Sequence, residues 1–196
     1  MKRWPLFNKK IGWDNILLGL FFVLLIVPQT RKPIQVGLNR LIITVFSPSM
    51  VKETKRVTIE GFDYRAYDRE GNEVVLRIGD GHIVFLSFWA SWCPPCIAEL
   101  PSIAELYADY GEKVKFILAT HEDPEKVKAF LDKKNMDLPV YFPLGQVPGP
   151  LQSTSLPTNY LIDANGSILI EEKGAADWNH KKIRDLLDSL VLKSRN

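Results

Sequence analysis

Two residues in the chain can carry redox chemistry at short range: Cys93 and Cys96, its only cysteines, set in the stretch SFWASWCPPCIAELP from Ser87 to Pro101. Thiols at this spacing can relay electrons, supply half of a metal site, or cross-link the fold. A zinc site needs two further ligands, and the sequence offers only His82, His121 and His180, widely separated, with no second cysteine pair. No metal and no cofactor is expected. A structural cross-link over four residues closes a loop too small to constrain the unfolded chain much. Thiol–disulfide exchange fits best: a thiolate attacks a foreign disulfide, and a second thiol resolves the mixed disulfide. The metal and structural readings stand as its alternatives.

The elements around the pair are those such a relay requires. Ile83 to Trp89, IVFLSFW, is nearly all apolar and suits a central strand buried on both faces. A helix follows to about Tyr110, with Gly111 as its stop signal. Cys93 then falls in the helix N-cap region, with Pro94 and Pro95 in the first turn, where a missing N–H does no harm. Free N–H groups and the helix dipole favour thiolate at Cys93, whereas Cys96 points deeper. Glu99 lies three residues beyond Cys96, so a helix brings both side chains to one face. It is the candidate group to shuttle the Cys96 proton; the alternative is an ordinary solvated helix charge.

The rest of the body alternates between strand and helix signals. Phe62–Tyr67 and Glu73–Ile78 form a hairpin joined by DREGN. Val114–Ala119 is an apolar strand, and Asp123-Pro124 supplies an N-cap and first-turn proline for a helix through Lys134. Val140–Phe142 is a short extended piece, and a loop rich in Pro and Gly, Pro143 to Leu156, leads to Pro157. Thr158–Ile162 and Ser167–Lys173 make a hairpin around DANG, where Asn-Gly predicts a type I′ turn. A last amphipathic helix spans about Asn179 to Leu192, with Ile183, Leu186, Leu187 and Leu190 on one face. This order predicts a three-layer α/β sandwich.

The chain's 196 residues, 46% hydrophobic and 24% charged, leave room for one domain with a core and an appendage. The net charge of +2 hides an asymmetry: residues 1–56 hold ten Lys/Arg against Asp14 and Glu53, a balance of +8, leaving −6 for the remainder. An acidic body argues against nucleic acid as partner, and a basic head fits anionic lipid. Ile16–Val27, ILLGLFFVLLIV, is apolar and uncharged, but twelve helical residues reach only roughly 18 Å against a hydrocarbon core of about 30 Å. Starting at Ile11 extends the span to roughly 25 Å. Four basic residues precede it, and no A-x-A-like cleavage site follows, so an uncleaved anchor with a cytoplasmic N-terminus is expected over a signal peptide. A second apolar stretch, Ile34–Phe46, is interrupted by Gln35, Gly37, Asn39 and Arg40 and reads as juxtamembrane. The expected division is residues 1–28 as N-terminus and anchor (about 11–27 as the span), 29–56 as juxtamembrane linker, and 57–196 as the domain.

FWASWCPPC after an apolar strand resembles the active-site segment of thioredoxin-fold proteins. From about Gly61 to Leu192 the pattern resembles the membrane-anchored TlpA/ResA-type thiol–disulfide oxidoreductases, through the first hairpin, the insert VKFILATHEDPEKVKAFLDKKNMDLPVYF and LPTNYLIDANGSIL. The resemblance implies a thioredoxin-like three-layer sandwich with an N-terminal β-hairpin and a central αβ insert, preceded by one transmembrane helix. It assigns Cys93 as nucleophile, Cys96 as resolving cysteine, and Pro157 as the cis-proline facing the dithiol. Trp92, Pro94, Pro95, Leu156 and Pro157 are then the substrate-contacting residues, and Trp89 packs about the site. Glu at the position of Glu99 is common in this group. Two positions depart from the pattern: Ser87 stands where many thioredoxins place a buried Asp, and Leu156 where Thr or Val is common. The loop FPLGQVPGPLQSTS has no clear template. His121 reads as a surface histidine near the site.

The implied function is reduction of disulfides in extracytoplasmic proteins, apocytochrome c among them, by a monomer in the bacterial inner membrane. Its electrons would come from a membrane dithiol donor of the CcdA/DsbD type. A disulfide oxidase or isomerase is the enzymatic rival, though a DsbA-like oxidase carries a larger helical insertion than residues 120–143 allow. A peroxidase would need its cysteine in a different, Pro- and Thr-flanked setting. The non-catalytic rival is a redox-sensing tethered binding module.

Overall fold

The computed structural model describes residues 13–26, 28–43 and 48–194. Seven strands form one mixed sheet in the order β2-β1-β5-β4-β3-β6-β7. They are β1 (Phe62–Tyr67), β2 (Glu73–Ile78), β3 (Val84–Phe88), β4 (Lys115–Ala119), β5 (Val140–Pro143), β6 (Thr158–Ile162) and β7 (Ile168–Lys173). β3, β4 and β5 run parallel, and the hairpins β1–β2 and β6–β7 flank them antiparallel. The parallel centre is buried on both faces, as the apolar runs require.

The helices are α1 (Trp13–Ile26), α2 (Pro28–Ile43), α3 (Pro94–Tyr110), α4 (Pro124–Lys134) and α5 (Lys181–Ser194). α3, α4 and α5 bury Leu100, Ile103, Leu106, Val127, Leu131, Ile183 and Leu187 against the same side of the sheet, with Phe85, Phe116 and Trp178. On the other side Leu86, Ile117 and Tyr160 lie under Ile59, Val147 and Leu151. The third layer of the expected sandwich is thus loop and a 3₁₀ turn at Gly149–Leu151 rather than α-helix. The Pro/Gly-rich segment 144–156 cannot sustain a helix, yet its apolar side chains still close that face.

Asp123 caps α4, its Oδ1 accepting from the Glu125 and Lys126 amides at 3.0 and 3.3 Å. The β6–β7 turn differs from the expected type I′, which needs positive φ at both central residues. Only Gly166 has it, at 81°. Asp163 Oδ1 accepts from the Asn165 and Ser167 amides at 2.9 Å each, and Gly166 N–H donates to Asp163 O at 3.0 Å. That side chain selects a type I turn followed by a left-handed glycine.

Residues 48–59, of which 48–56 were read from the sequence as linker, run along the free edge of β7. Val51 N–H donates to Leu169 O at 2.8 Å, Ile168 N–H to Val57 O at 2.9 Å, and Ile59 N–H to Gly166 O at 2.9 Å. The strap covers an edge that would otherwise invite another chain. Upstream, the stretch assigned no helix forms α2, which lies against α3 with Ile43 buried. No helix among the described residues is long and apolar enough to cross a membrane. The described part of the expected span is α1, fourteen residues with Trp13, Leu17, Phe21 and Phe22 exposed; residues 11, 12 and 27 lie outside the described residues.

Candidate active site

The end of β3 and the start of α3 place the cysteines. Cys93 is the N-cap of α3 in extended conformation, Pro94 and Pro95 begin the helix, and Cys93 Sγ accepts from the Cys96 amide at 3.3 Å. The two cysteines are joined in a disulfide, their Cα atoms 5.3 Å apart. A negative charge on Cys93 after reduction would therefore meet the open N–H end of a seventeen-residue helix, the arrangement that stabilises thiolate. Cys93 is nearly covered and Cys96 wholly so. Pro94 and Pro95 are half-buried, whereas Trp92 is 58% exposed.

The Leu156–Pro157 peptide bond is cis, as the resemblance implied. Phe88 pairs with Thr158, so Pro157 comes beside the strand end from which the cysteine loop departs. Pro157 itself is buried and its carbonyl accepts from Gly174 N–H at 2.9 Å. Leu156 is the exposed partner at this step, at 37%. Trp92 and Leu156 both border an open cavity of about 880 Å³, whose walls also include Trp89, Val147 and Leu151. His121 is exposed and stands in the same wall. Trp89 is buried against Phe130, with ring centroids 6.0 Å apart.

Glu99 is not a solvated helix charge. It is fully buried, the one charged residue among the described residues to be so, because position 99 shares the sheet-facing side of α3 with Cys96, Leu100 and Ile103. Asn159 Nδ2 donates to its Oε1 and Oε2 at 3.0 and 3.2 Å. The Ala176 amide and Trp178 Nε1 both donate to Oε2 at 3.3 Å. Burial raises the carboxyl pKa to about 8, and these donors pull it only part of the way back. A carboxyl with that affinity exchanges a proton at neutral pH.

Sequence reasoning missed the groups that hold this site. Asn159 carried a signal, as a polar residue within the buried strand TNYLI. Glu122 carried none: its carboxylate accepts from Ser91 N–H at 2.6 Å and Ser91 Oγ–H at 2.9 Å, across 31 residues. That contact ties the end of β4 to the turn carrying Trp92 and Cys93. Among the described residues no group of three or more His, Cys, Asp or Glu is placed to hold a metal ion.

Known proteins resemble this chain. The family model of the AhpC/TSA family matches residues 57–170. A thiol–disulfide oxidoreductase ResA of Bacillus cereus is 35% identical over 143 residues, 71% of this chain and 82% of that protein. The thioredoxin-like protein YneN of Bacillus subtilis is 27% identical over 130 residues, 64% of this chain and 75% of its own. Among solved structures, one described as a thiol:disulfide interchange protein DsbE from Chlorobium tepidum superposes with a TM-score of 0.53 at 25% identity, covering 71% of this chain and 97% of that one. With a Cys-x-x-Cys disulfide at a helix N-terminus, a cis-proline beside it and these relatives, the chain belongs to the AhpC/TSA family, as a TlpA/ResA-type thiol–disulfide oxidoreductase of the thioredoxin superfamily.

Proposed function

We propose that the chain is a membrane-tethered reductant of disulfides in extracytoplasmic proteins, and that apocytochrome c is a substrate. The observation that carries this reading is Cys96 lying fully buried one helical turn from Glu99, an acid rather than a cation. Stabilised thiolate favours the reduced form and makes a dithiol oxidising. Here the helix N-terminus supports only the Cys93 thiolate, and the buried inner thiolate beside an acid gains no such support, which favours a reductant.

In the reduced protein the Cys93 thiolate attacks one sulfur of the substrate disulfide, forming a mixed disulfide and releasing the other substrate sulfur as thiolate. Glu99 takes the proton of Cys96, whose thiolate attacks Cys93 Sγ. The second substrate sulfur leaves, and Cys93–Cys96 is oxidised as the substrate gains two electrons. A membrane dithiol donor of the CcdA/DsbD type then returns two electrons to the disulfide. Trp92 and Leu156 flank the entry, Pro94 and Pro95 shape its rim, and Pro157 fixes the loop beside it. The chain acts as a monomer. Its anchor is the span 11–27, supported by the exposed apolar side chains of α1 and the basic residues before it. The domain then faces the periplasmic side of the inner membrane.

The test is trapping. A Cys96→Ser chain mixed with a disulfide-containing peptide should accumulate one mixed disulfide at Cys93, identified by mass spectrometry, and Cys93→Ser none. Absence of any adduct, with slow exchange in the unaltered chain, would instead leave a tethered binding module. Labelling of spheroplasts with an impermeant thiol reagent should reach the reduced dithiol; protection of it would overturn the proposed side of the membrane.

A further inference from the structure

One rung of the sheet crosses beneath α3 and breaks the apolar pattern of the strands around it. Ser87 on β3 pairs with Asn159 on β6, and Asn159 pairs in turn with Glu172 on β7. Cross-strand partners project to the same face. Inward, the rung continues to Leu118 on β4, so its polar part runs from the core to the sheet edge.

The rung meets Glu99 asymmetrically. Oε2 receives Asn159, Ala176 and Trp178, while Oε1 receives Asn159 alone. Asn159 is therefore the donor shared by both oxygens. Its own Oδ1, and Ser87 Oγ beside it, are buried and have no partner among the described residues. Glu172 is half-buried at the outer end, its Oε2 accepting from the Ser49 amide of the strap at 3.2 Å.

We propose that Asn159 and Glu172 are positioning residues that set the proton affinity of Glu99 in opposite directions from adjacent places on one rung. Asn159 donates into the carboxylate and favours its anion. Glu172 brings a like charge toward it and favours the protonated form, in line with its place among the groups that raise the Glu99 pKa. Among the described residues, the other groups facing Glu99 are Cys96 on its own helix, bound in the disulfide, and the neutral donors of Ala176 and Trp178. Ser87 is the neutral inner end of the rung. The use of this setting in exchange rests on the reading of Glu99 as acceptor of the Cys96 proton; the setting itself does not.

The oxidised full chain in mild detergent isolates the effect, because neither cysteine titrates while the disulfide is intact. The Glu99 carboxyl is followed by ¹³C NMR of labelled glutamate side chains and assigned by its loss in Glu99→Gln. Asn159→Ala should move its midpoint up by about one pH unit, the weight of a hydrogen bond to a charged group. Glu172→Gln should move it down. A midpoint unmoved by Asn159→Ala, or shifts of both variants in one direction, would overturn the proposal, since a purely structural disturbance has no reason to separate their signs. Should Asn159→Ala not fold, the edge variant Glu172→Gln still decides by its sign: downward supports the setting and no shift or an upward one refutes it. Failure of the exchange reading has a different mark: in the reduced chain, Glu99→Gln would leave the Cys96 titration unchanged while both oxidised-state shifts persist.

Discussion

Replacing Glu99 by Gln should flatten one component of the protein's stability against pH. In the folded chain the Glu99 carboxyl titrates near 8, against an ordinary value of 4.5. Below 4.5 the group is protonated in both folded and unfolded chains and stability is unaffected. Between 4.5 and 8 the unfolded chain gives up this proton and the folded chain keeps it. Stability therefore falls as pH rises through that window, at up to about 1.4 kcal/mol per pH unit, or roughly 5 kcal/mol across it. Above 8 both forms are ionised and the loss is complete. Gln has no such titration. Its amide can also be received, because Asn159 Oδ1 lacks a partner among the described residues and a flip of that side chain turns the acceptor toward it. The assay is urea unfolding of the oxidised full chain in mild detergent at half-unit steps from pH 4.5 to 8.5, with Glu99→Gln in parallel. Contributions from groups remote from position 99 cancel in the difference. The variant should gain on the unaltered chain by about 1 kcal/mol or more per unit near neutrality. Two curves that stay parallel over the whole range would refute the buried, proton-holding Glu99.

Glu122→Ala removes the acceptor of two Ser91 donors; given its partial burial, urea unfolding should show a loss of about 2 kcal/mol of stability, with slower alkylation of Cys93 as its turn loosens. Gly166→Ala forces a left-handed φ of 81° and sets a Cβ 2.3 Å from Ile59 O, so a thermal melt should show a loss well above ~1 kcal/mol. Asp123→Ala strips the cap of α4 and should cost about 1 kcal/mol by urea titration; it should leave the exchange rate with a peptide disulfide unchanged.

Much of this was legible locally. The first hairpin shows in the alternation of FDYRAY and EVVLRI about a turn, and the structure keeps the same limits. α4 shows in Asp123-Pro124, and the thiol pair in its position after a buried strand. What was not legible depends on contacts distant in sequence. Whether Glu99 faces water or the sheet follows from what covers that side of α3, including Trp178 and Ala176, 79 and 77 residues on. The strap along β7 joins residues more than a hundred positions apart, such as Val51 and Leu169. The DANG turn was misread because a side chain, Asp163, outweighed the Asn-Gly preference. The helix-free cover over Leu86 and Ile117 follows from prolines whose helix-breaking effect was plain, but not where their loop would lie.

The direction of electron flow is the central claim, and the equilibrium reduction potential of the Cys93–Cys96 couple in the full chain tests it most directly. Equilibration against glutathione and dithiothreitol buffers, read by trapping free thiols, should give a value near or below that of thioredoxin, about −270 mV. A value of about −120 to −180 mV, the range of DsbA and protein disulfide isomerase, would mark an oxidant or isomerase and contradict the account.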